Sequence, residues 1–81
     1  MSIAGKVKGL LASTGRDQAG FAATLGISVQ ALRNKFYRDS FTTDDLIVLA
    51  EYTGCTLAFL SDEGSKIVLD KSDIREKKTN K

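Results

Sequence analysis

Side chains that can form hydrogen bonds follow Ser28 at the spacing of a helix. Gln30, Arg33 and Lys35 fall outside its apolar face, so their amide, guanidinium and ammonium groups can meet a partner. A polar helix face of this kind, with its N-terminal end leading, can enter the major groove of DNA. A solvated helix face is the alternative interpretation. The residues of the apolar face are Val29, Leu32 and Phe36, three and four residues apart.

A second, shorter helix is predicted to brace this one from its N-terminal side. Asp17 can cap it, and Gly26 permits a sharp turn at its end. Ile27 then anchors the turn in the core, and Ser28 caps the next helix. The segment from Asp17 to Arg38 therefore predicts a helix, a tight turn and a helix. The apolar face of the shorter helix is Phe21, Ala22 and Leu25.

Two further helices and a hairpin are predicted on either side of this segment. Helical periodicity begins at Ile3 and ends before Gly15, and Thr42 with Asp45 resembles a capping box for a fourth helix that ends at Gly54. Short apolar segments at 55–60 and 66–69 then predict a β-hairpin, with Gly64 at the positive-φ position of its turn. The predicted fold class is mostly α, with four helices followed by a C-terminal β-hairpin.

The segment from Asp17 to Arg38 resembles the helix-turn-helix of the Cro/repressor-type family, also called XRE. The similarity extends over roughly residues 3–54. Gly20 departs from the pattern, since the family usually has a polar or acidic residue there, and a hairpin replaces the family's common fifth helix. The residues that match are Gln18, Phe21, Ala22, Leu25, Gly26, Ile27, Ser28 and Gln30.

The resemblance implies roles in DNA binding for residues in and next to this segment. Gln30 would pair with adenine, Arg33 with guanine, and Val29 would meet a thymine methyl group. Asn34 would be the fourth residue that contacts bases. The residues implied to contact phosphates are Gln18, Ser28, Lys35, Arg38 and Thr43.

The hairpin is expected to mediate dimerisation. A lone two-stranded ribbon is marginal in water, so its apolar side chains must be covered by the helices, by a second copy of the chain, or by both. The predicted organisation is a helix-turn-helix DNA-binding domain at 1–54, a dimerising hairpin at 55–70 and a charged flexible tail at 71–81. The candidate dimerisation residues are Leu57, Phe59, Leu60, Ile67 and Leu69.

Composition limits the other classes of function. Six basic and two acidic side chains give residues 1–43 a charge of +4, whereas one basic and five acidic side chains give residues 44–69 a charge of −4. A basic half of this kind suggests a side that faces a polyanion. Histidine is absent, which removes the commonest general base and metal ligand. Cys55, the one cysteine, is interpreted as a small apolar filler between helix and strand, with a redox switch as the alternative.

The sequence therefore predicts a homodimeric, sequence-specific regulator of transcription. It would be of the repressor type and bind double-stranded DNA through a recognition helix at 28–37. The alternative is an antitoxin-type module that binds a toxin or another protein as well as DNA. An enzyme is not expected, because no catalytic residue, metal site or cofactor motif is recognised. A cytoplasmic protein without a membrane partner is expected, since no signal peptide or long apolar segment is found.

Overall fold

The chain folds into four helices followed by a two-stranded antiparallel hairpin. The structure is a computed structural model that describes residues 2–74. The predicted mostly helical fold class is confirmed. None of the helices within that range is long and apolar enough to cross a membrane. In chain order the elements are α1 (Ile3–Ser13), α2 (Gln18–Leu25), α3 (Val29–Arg38), α4 (Thr43–Thr53), β1 (Leu57–Leu60), β2 (Lys66–Leu69) and a 3₁₀ helix (Lys71–Asp73).

Local hydrogen bonds set where the helices begin. The side chains of Asp17 and Ser28 each accept the backbone N–H three residues ahead, at the starts of α2 and α3. Thr42 and Asp45 form the predicted capping box of α4. Each cap of this type is worth about 1 kcal/mol. Gly26 ends α2 with φ 76°, a left-handed conformation that costs glycine little, so the chain turns sharply into α3.

The core lies where the four helices meet. Phe21 and Leu32 are fully buried, and the Phe21 ring stacks with Phe41 and Tyr52 at centroid distances of 6.5 and 6.2 Å. Because this core takes up the apolar faces of α2 and α3, their polar faces turn outward. The other buried members of the cluster are Val7, Leu11, Ala22 and Leu49.

The hairpin packs on the helices only at its base. Leu57 pairs with Leu69 across the two strands, and Phe59 pairs with Ile67. The first pair is half-buried, and β1 packs against α4. The second pair lies nearer the turn and is exposed. Gly64 has a φ of 92° in the turn, as predicted.

The prediction for Cys55 is wrong. Its side chain is exposed, whereas the sequence suggested an apolar filler between helix and strand. The backbone N–H of Cys55 donates to the Ala50 carbonyl at 2.9 Å, and its thiol lies 3.8 Å from the Thr53 carbonyl oxygen, so the residue ends α4 through polar contacts. The strand β1 accordingly begins two residues later, at Leu57.

The segment after β2 also differs from the expected tail. Lys71–Asp73 form a 3₁₀ helix that packs against α4. Asp70 caps this helix, and hydrogen bonds from the hydroxyl and the backbone N–H of Ser72 lower the pKa of the Asp70 carboxyl. Ile74 is half-buried. The rest of the predicted tail, residues 75–81, lies outside the described residues.

Candidate nucleic-acid interface

The outward face of α3 carries the side chains that the sequence predicted to contact bases. Gln30, Arg33 and Asn34 are exposed, and so is the apolar Val29. Residues three and four apart share one face of a helix, so these four form a stripe, which we call the polar stripe. The Gln30 amide nitrogen lies 3.4 Å from the Asn34 side-chain oxygen, a long contact that a better partner can replace.

Both ends of α3 are tied to the rest of the protein. At its N-terminus the Ser28 hydroxyl accepts the N–H of Ala31 at 3.0 Å. At its C-terminus Asp39, with φ 55°, accepts the N–H of Ala4 from α1. Leu32 is buried between these ends. A helix held in this way keeps its outer side chains oriented, which reduces the entropy lost when a partner binds.

Lys35 already has a partner within the chain. Its Nζ lies 2.9 Å from Oδ2 of Asp45, and the two side chains are only 26% and 13% exposed. The same oxygen accepts the backbone N–H of Thr42 at 2.9 Å. Lys35 therefore joins α3 to the first turn of α4, and a phosphate would have to compete with Asp45 for its ammonium group.

A depression opens beside the polar stripe and brings α1, α2 and α3 together. Its volume is about 360 Å³, and its lining residues are Lys8, Gln18, Arg33, Phe36 and Tyr37. Gln18 and Arg33, which the sequence assigned to phosphate and base, thus share one site. Lys8 and Tyr37 were missed. Tyr37 could have been found by continuing the stripe four residues beyond Arg33, whereas Lys8 comes from a helix that the motif does not include.

The first turn of α2, where Gln18 lies, is shaped by a close approach of α4. The Asp17 carboxylate accepts the N–H of Gly20 at 2.8 Å, and the Tyr52 hydroxyl lies 3.3 Å from the Asp17 carbonyl oxygen. A Cβ atom on Gly20 would overlap that hydroxyl. Glycine therefore stands at this position because Tyr52 occupies the space that a side chain would need.

Three other predicted phosphate contacts are exposed but lie outside the depression. The Ser28 hydroxyl caps α3, Arg38 is the last residue of that helix, and Thr43 is the first residue of α4. The first N–H groups of a helix lack partners within it, so the start of α4 can also offer donors. These three residues are accessible to a partner but are not joined into one site.

The hairpin presents a second candidate surface, of apolar character. Phe59, Leu60 and Ile67 are 69%, 74% and 66% exposed, whereas the other two predicted dimerisation residues, Leu57 and Leu69, are half-buried at the base. Val68 and Ile3 are exposed as well and were missed. Phe59 and Ile67 pair across the strands on one face of the hairpin, and Leu60 and Val68 lie on the other face. We call these four exposed side chains together the apolar hairpin surface.

An apolar groove adjoins the base of the hairpin. It has a volume of about 180 Å³ and lies between α1, α4 and β1. Contiguous apolar surface that is left open to water commonly marks a binding site for another chain. The residues that line the groove are Ile3, Lys6, Val7, Leu10, Leu46, Leu49 and Leu57.

No family model, curated protein or solved structure matches this chain. Among residues 2–74, no group of three or more histidine, cysteine, aspartate or glutamate side chains could hold a metal ion. The candidate surfaces in the described part of the chain are thus the two already given: the polar stripe with its depression, and the apolar hairpin surface with its groove.

Proposed function

We propose that this protein binds double-stranded DNA sequence-specifically, with α2 and α3 acting as a helix-turn-helix. The observation that carries the proposal is the exposed polar stripe on α3, a helix whose opposite face is buried. The major groove, about 12 Å wide, admits an α-helix. The resemblance of residues 17–38 to the Cro/repressor-type family supports the same function, that of a transcriptional regulator of the repressor type.

The polar stripe has the chemistry to distinguish base pairs. The Arg33 guanidinium can donate to O6 and N7 of guanine, and the Gln30 amide can pair with N6 and N7 of adenine. Val29 offers a methyl surface to thymine, and Asn34 supplies a further amide. Each well-placed bidentate contact discriminates against the wrong base by roughly 1–3 kcal/mol.

Contacts with phosphates would fix the register of α3 in the groove. Gln18 lies at the start of α2, where backbone N–H groups and the helix dipole favour an anion. Arg38 and Thr43 are exposed at the end of α3 and the start of α4. Contacts of this kind strengthen binding to any sequence and make it depend on salt.

A second copy of the chain is proposed to cover the apolar hairpin surface. Phe59 and Ile67, which pair on one face of the hairpin, remain mostly exposed in one chain, and full burial of such side chains stabilises a complex by roughly 1.5–3 kcal/mol each. A two-fold dimer would place two α3 helices in successive major grooves, about 34 Å apart. The bound site would then be a pseudo-palindrome.

Selection of bound sequences from a random pool of duplex DNA tests this function. The wild-type chain is expected to enrich one short motif that contains a guanine at a fixed position. Arg33→Ala should relax the preference at that guanine, because the bidentate donor is lost, and retain the rest of the motif. The matched control is Lys66→Ala, which removes one positive charge from β2, away from α3.

Two results would contradict the proposal. One is enrichment of no sequence by a wild-type chain whose helical circular dichroism shows that it is folded. The other is an unchanged motif in Arg33→Ala, which would mean that Arg33 does not read a base.

An antitoxin-type module is the second candidate function. The exposed apolar hairpin surface favours it, because such a surface also fits a different protein. Co-expression with the product of a neighbouring toxin-like reading frame tests it. A stable one-to-one complex that is lost in Phe59→Ser would support this function, and homodimerisation of the isolated chain without such a complex would oppose it.

A further inference from the structure

The depression of about 360 Å³ between α1, α2 and α3 has the character of an anion site. Two of its five lining residues, Lys8 and Arg33, carry a positive charge, and none carries a negative one. The nearby Asp17 carboxylate is engaged by the N–H of Gly20 at 2.8 Å. An oxyanion in the depression would therefore lie near two positively charged side chains, and no carboxylate among the lining residues would repel it.

Phe36 holds Lys8 toward this space. The Nζ of Lys8 lies 5.4 Å from the centroid of the Phe36 ring, a cation–π distance that favours one orientation of an otherwise flexible side chain. Lys6, two residues earlier on α1, lines the apolar groove instead. The two lysines of α1 therefore serve different surfaces, although they look alike in the sequence.

Tyr37 completes the wall with a hydroxyl group. It is the most exposed large hydrophobic side chain, at 89%, and it follows Arg33 by one helical turn. An aromatic side chain left this open by its own fold is well placed to contact a partner, and its hydroxyl can donate a hydrogen bond to a phosphate oxygen.

We infer that the depression binds one backbone phosphodiester of DNA, with Lys8 as its cation and Tyr37 as a hydrogen-bond donor. This inference rests on the proposed function and deepens it, because it assigns two contacts that the helix-turn-helix segment does not predict from its sequence. Gln18 lies on the same wall, and its side-chain amide would donate to the same phosphate group. Arg33 lies between this phosphate and the base edges.

The salt dependence of DNA binding tests the role of Lys8. Lys8→Gln should reduce the magnitude of the slope of log K against log salt by about 0.9 for each chain bound, or about 1.8 for the two-fold dimer, because each chain loses one phosphate contact. Lys6→Gln is the matched control, since it removes the same charge from the same helix but from the groove side, and it should leave the slope unchanged. Both variants should keep the selected motif and the oligomeric state in sedimentation.

Tyr37→Phe tests the hydroxyl separately from the charge. Loss of one hydrogen bond to a charged phosphate should weaken binding about ten- to a hundredfold, with no change in the salt slope, because the hydroxyl carries no charge. Ethylation of individual phosphates should locate one position that weakens binding of the wild-type chain, and the loss of binding there should be smaller for Tyr37→Phe and for Lys8→Gln.

The outcomes separate this inference from the function on which it rests. If the wild-type chain binds a selected site and Lys8→Gln keeps the wild-type slope, the phosphate site is refuted and the proposed function stands. Equal changes in Lys6→Gln and Lys8→Gln would also refute it, since they would indicate a diffuse charge effect. If the folded wild-type chain binds no DNA, both proposals fail.

Discussion

At the scale of single residues, Gly20 determines how closely α4 can approach α2. The Tyr52 ring stacks on Phe21 at 6.2 Å and lies under the Arg16 guanidinium at 5.6 Å. It therefore has little freedom to move away from a new side chain. A Cβ atom on Gly20 would come within 2.9 Å of the Tyr52 Cζ atom as well as overlapping its hydroxyl. The absence of a side chain at this position is thus a packing requirement.

Replacement of Gly20 by alanine should destabilise the fold. Alanine normally stabilises a helix interior by about 1 kcal/mol relative to glycine, but overpacking against Tyr52 should cost roughly 1–3 kcal/mol. Gly9→Ala is the matched control, because a Cβ atom there meets nothing within 4 Å. Urea unfolding should show a free energy of unfolding above the wild-type value for Gly9→Ala and below it for Gly20→Ala. An equal increase in the free energy of unfolding of both variants would show that the Tyr52 side chain moves away at little cost.

At the scale of elements, the sequence predicted those helix ends that are set by contacts between residues close together in the chain. The caps at Asp17, Ser28 and Thr42 were found because a cap and its target N–H lie within three residues. The approach of the first turn of α4 to Lys35 on α3 was not predicted. The ion pair between Lys35 and Asp45 depends on that approach, and no sequence pattern relates the two residues.

The 3₁₀ helix and the depression were missed for a similar reason. Lys71–Asp73 pack on α4, although their charged composition predicted a tail. Lys8 reaches α3 only because α1 packs against that helix. Tyr37, by contrast, could have been predicted from the sequence, since it continues the polar stripe, whose members were all identified.

The Lys35–Asp45 pair should couple α3 to α4 energetically. A double-mutant cycle with Lys35→Met and Asp45→Asn tests this, because asparagine can still accept the Thr42 N–H. The pair is partly shielded, so a coupling energy of about 1 kcal/mol is expected in urea unfolding. Additive effects would show that the ion pair contributes nothing to stability.

The same Lys35→Met variant distinguishes the two roles considered for this residue. An unchanged salt slope for DNA binding would agree with a lysine committed to Asp45. A reduction in the magnitude of that slope by about 0.9 for each chain bound would instead assign Lys35 to a phosphate, as the family resemblance implied.

At the scale of the whole molecule, the basic and apolar surfaces share only helix α1. The polar stripe and the depression are built from α1, α2 and α3, whereas the apolar groove is built from α1, α4 and β1. Helix α1 contributes to both, through Lys8 on one side and Ile3 on the other. This separation would allow the proposed contacts with DNA and the proposed dimer to form at the same time.

Phe59→Ser should disrupt the proposed dimer while leaving each chain folded. Phe59 is largely exposed within one chain, so its loss should hardly affect the helical circular dichroism or the urea midpoint of the monomer. A two-fold dimer contains two copies of the side chain, each worth roughly 1.5 kcal/mol or more when buried. Sedimentation equilibrium should therefore show the dissociation constant of the dimer rising at least about a hundredfold.

Glu63→Ser is the control for this variant, since it changes an exposed residue of the hairpin turn and should leave the dissociation constant of the dimer unaltered. A wild-type chain that stays monomeric at high micromolar concentration would contradict the proposed dimer. A dimer that is equally stable in both variants would show that the hairpin is not its interface.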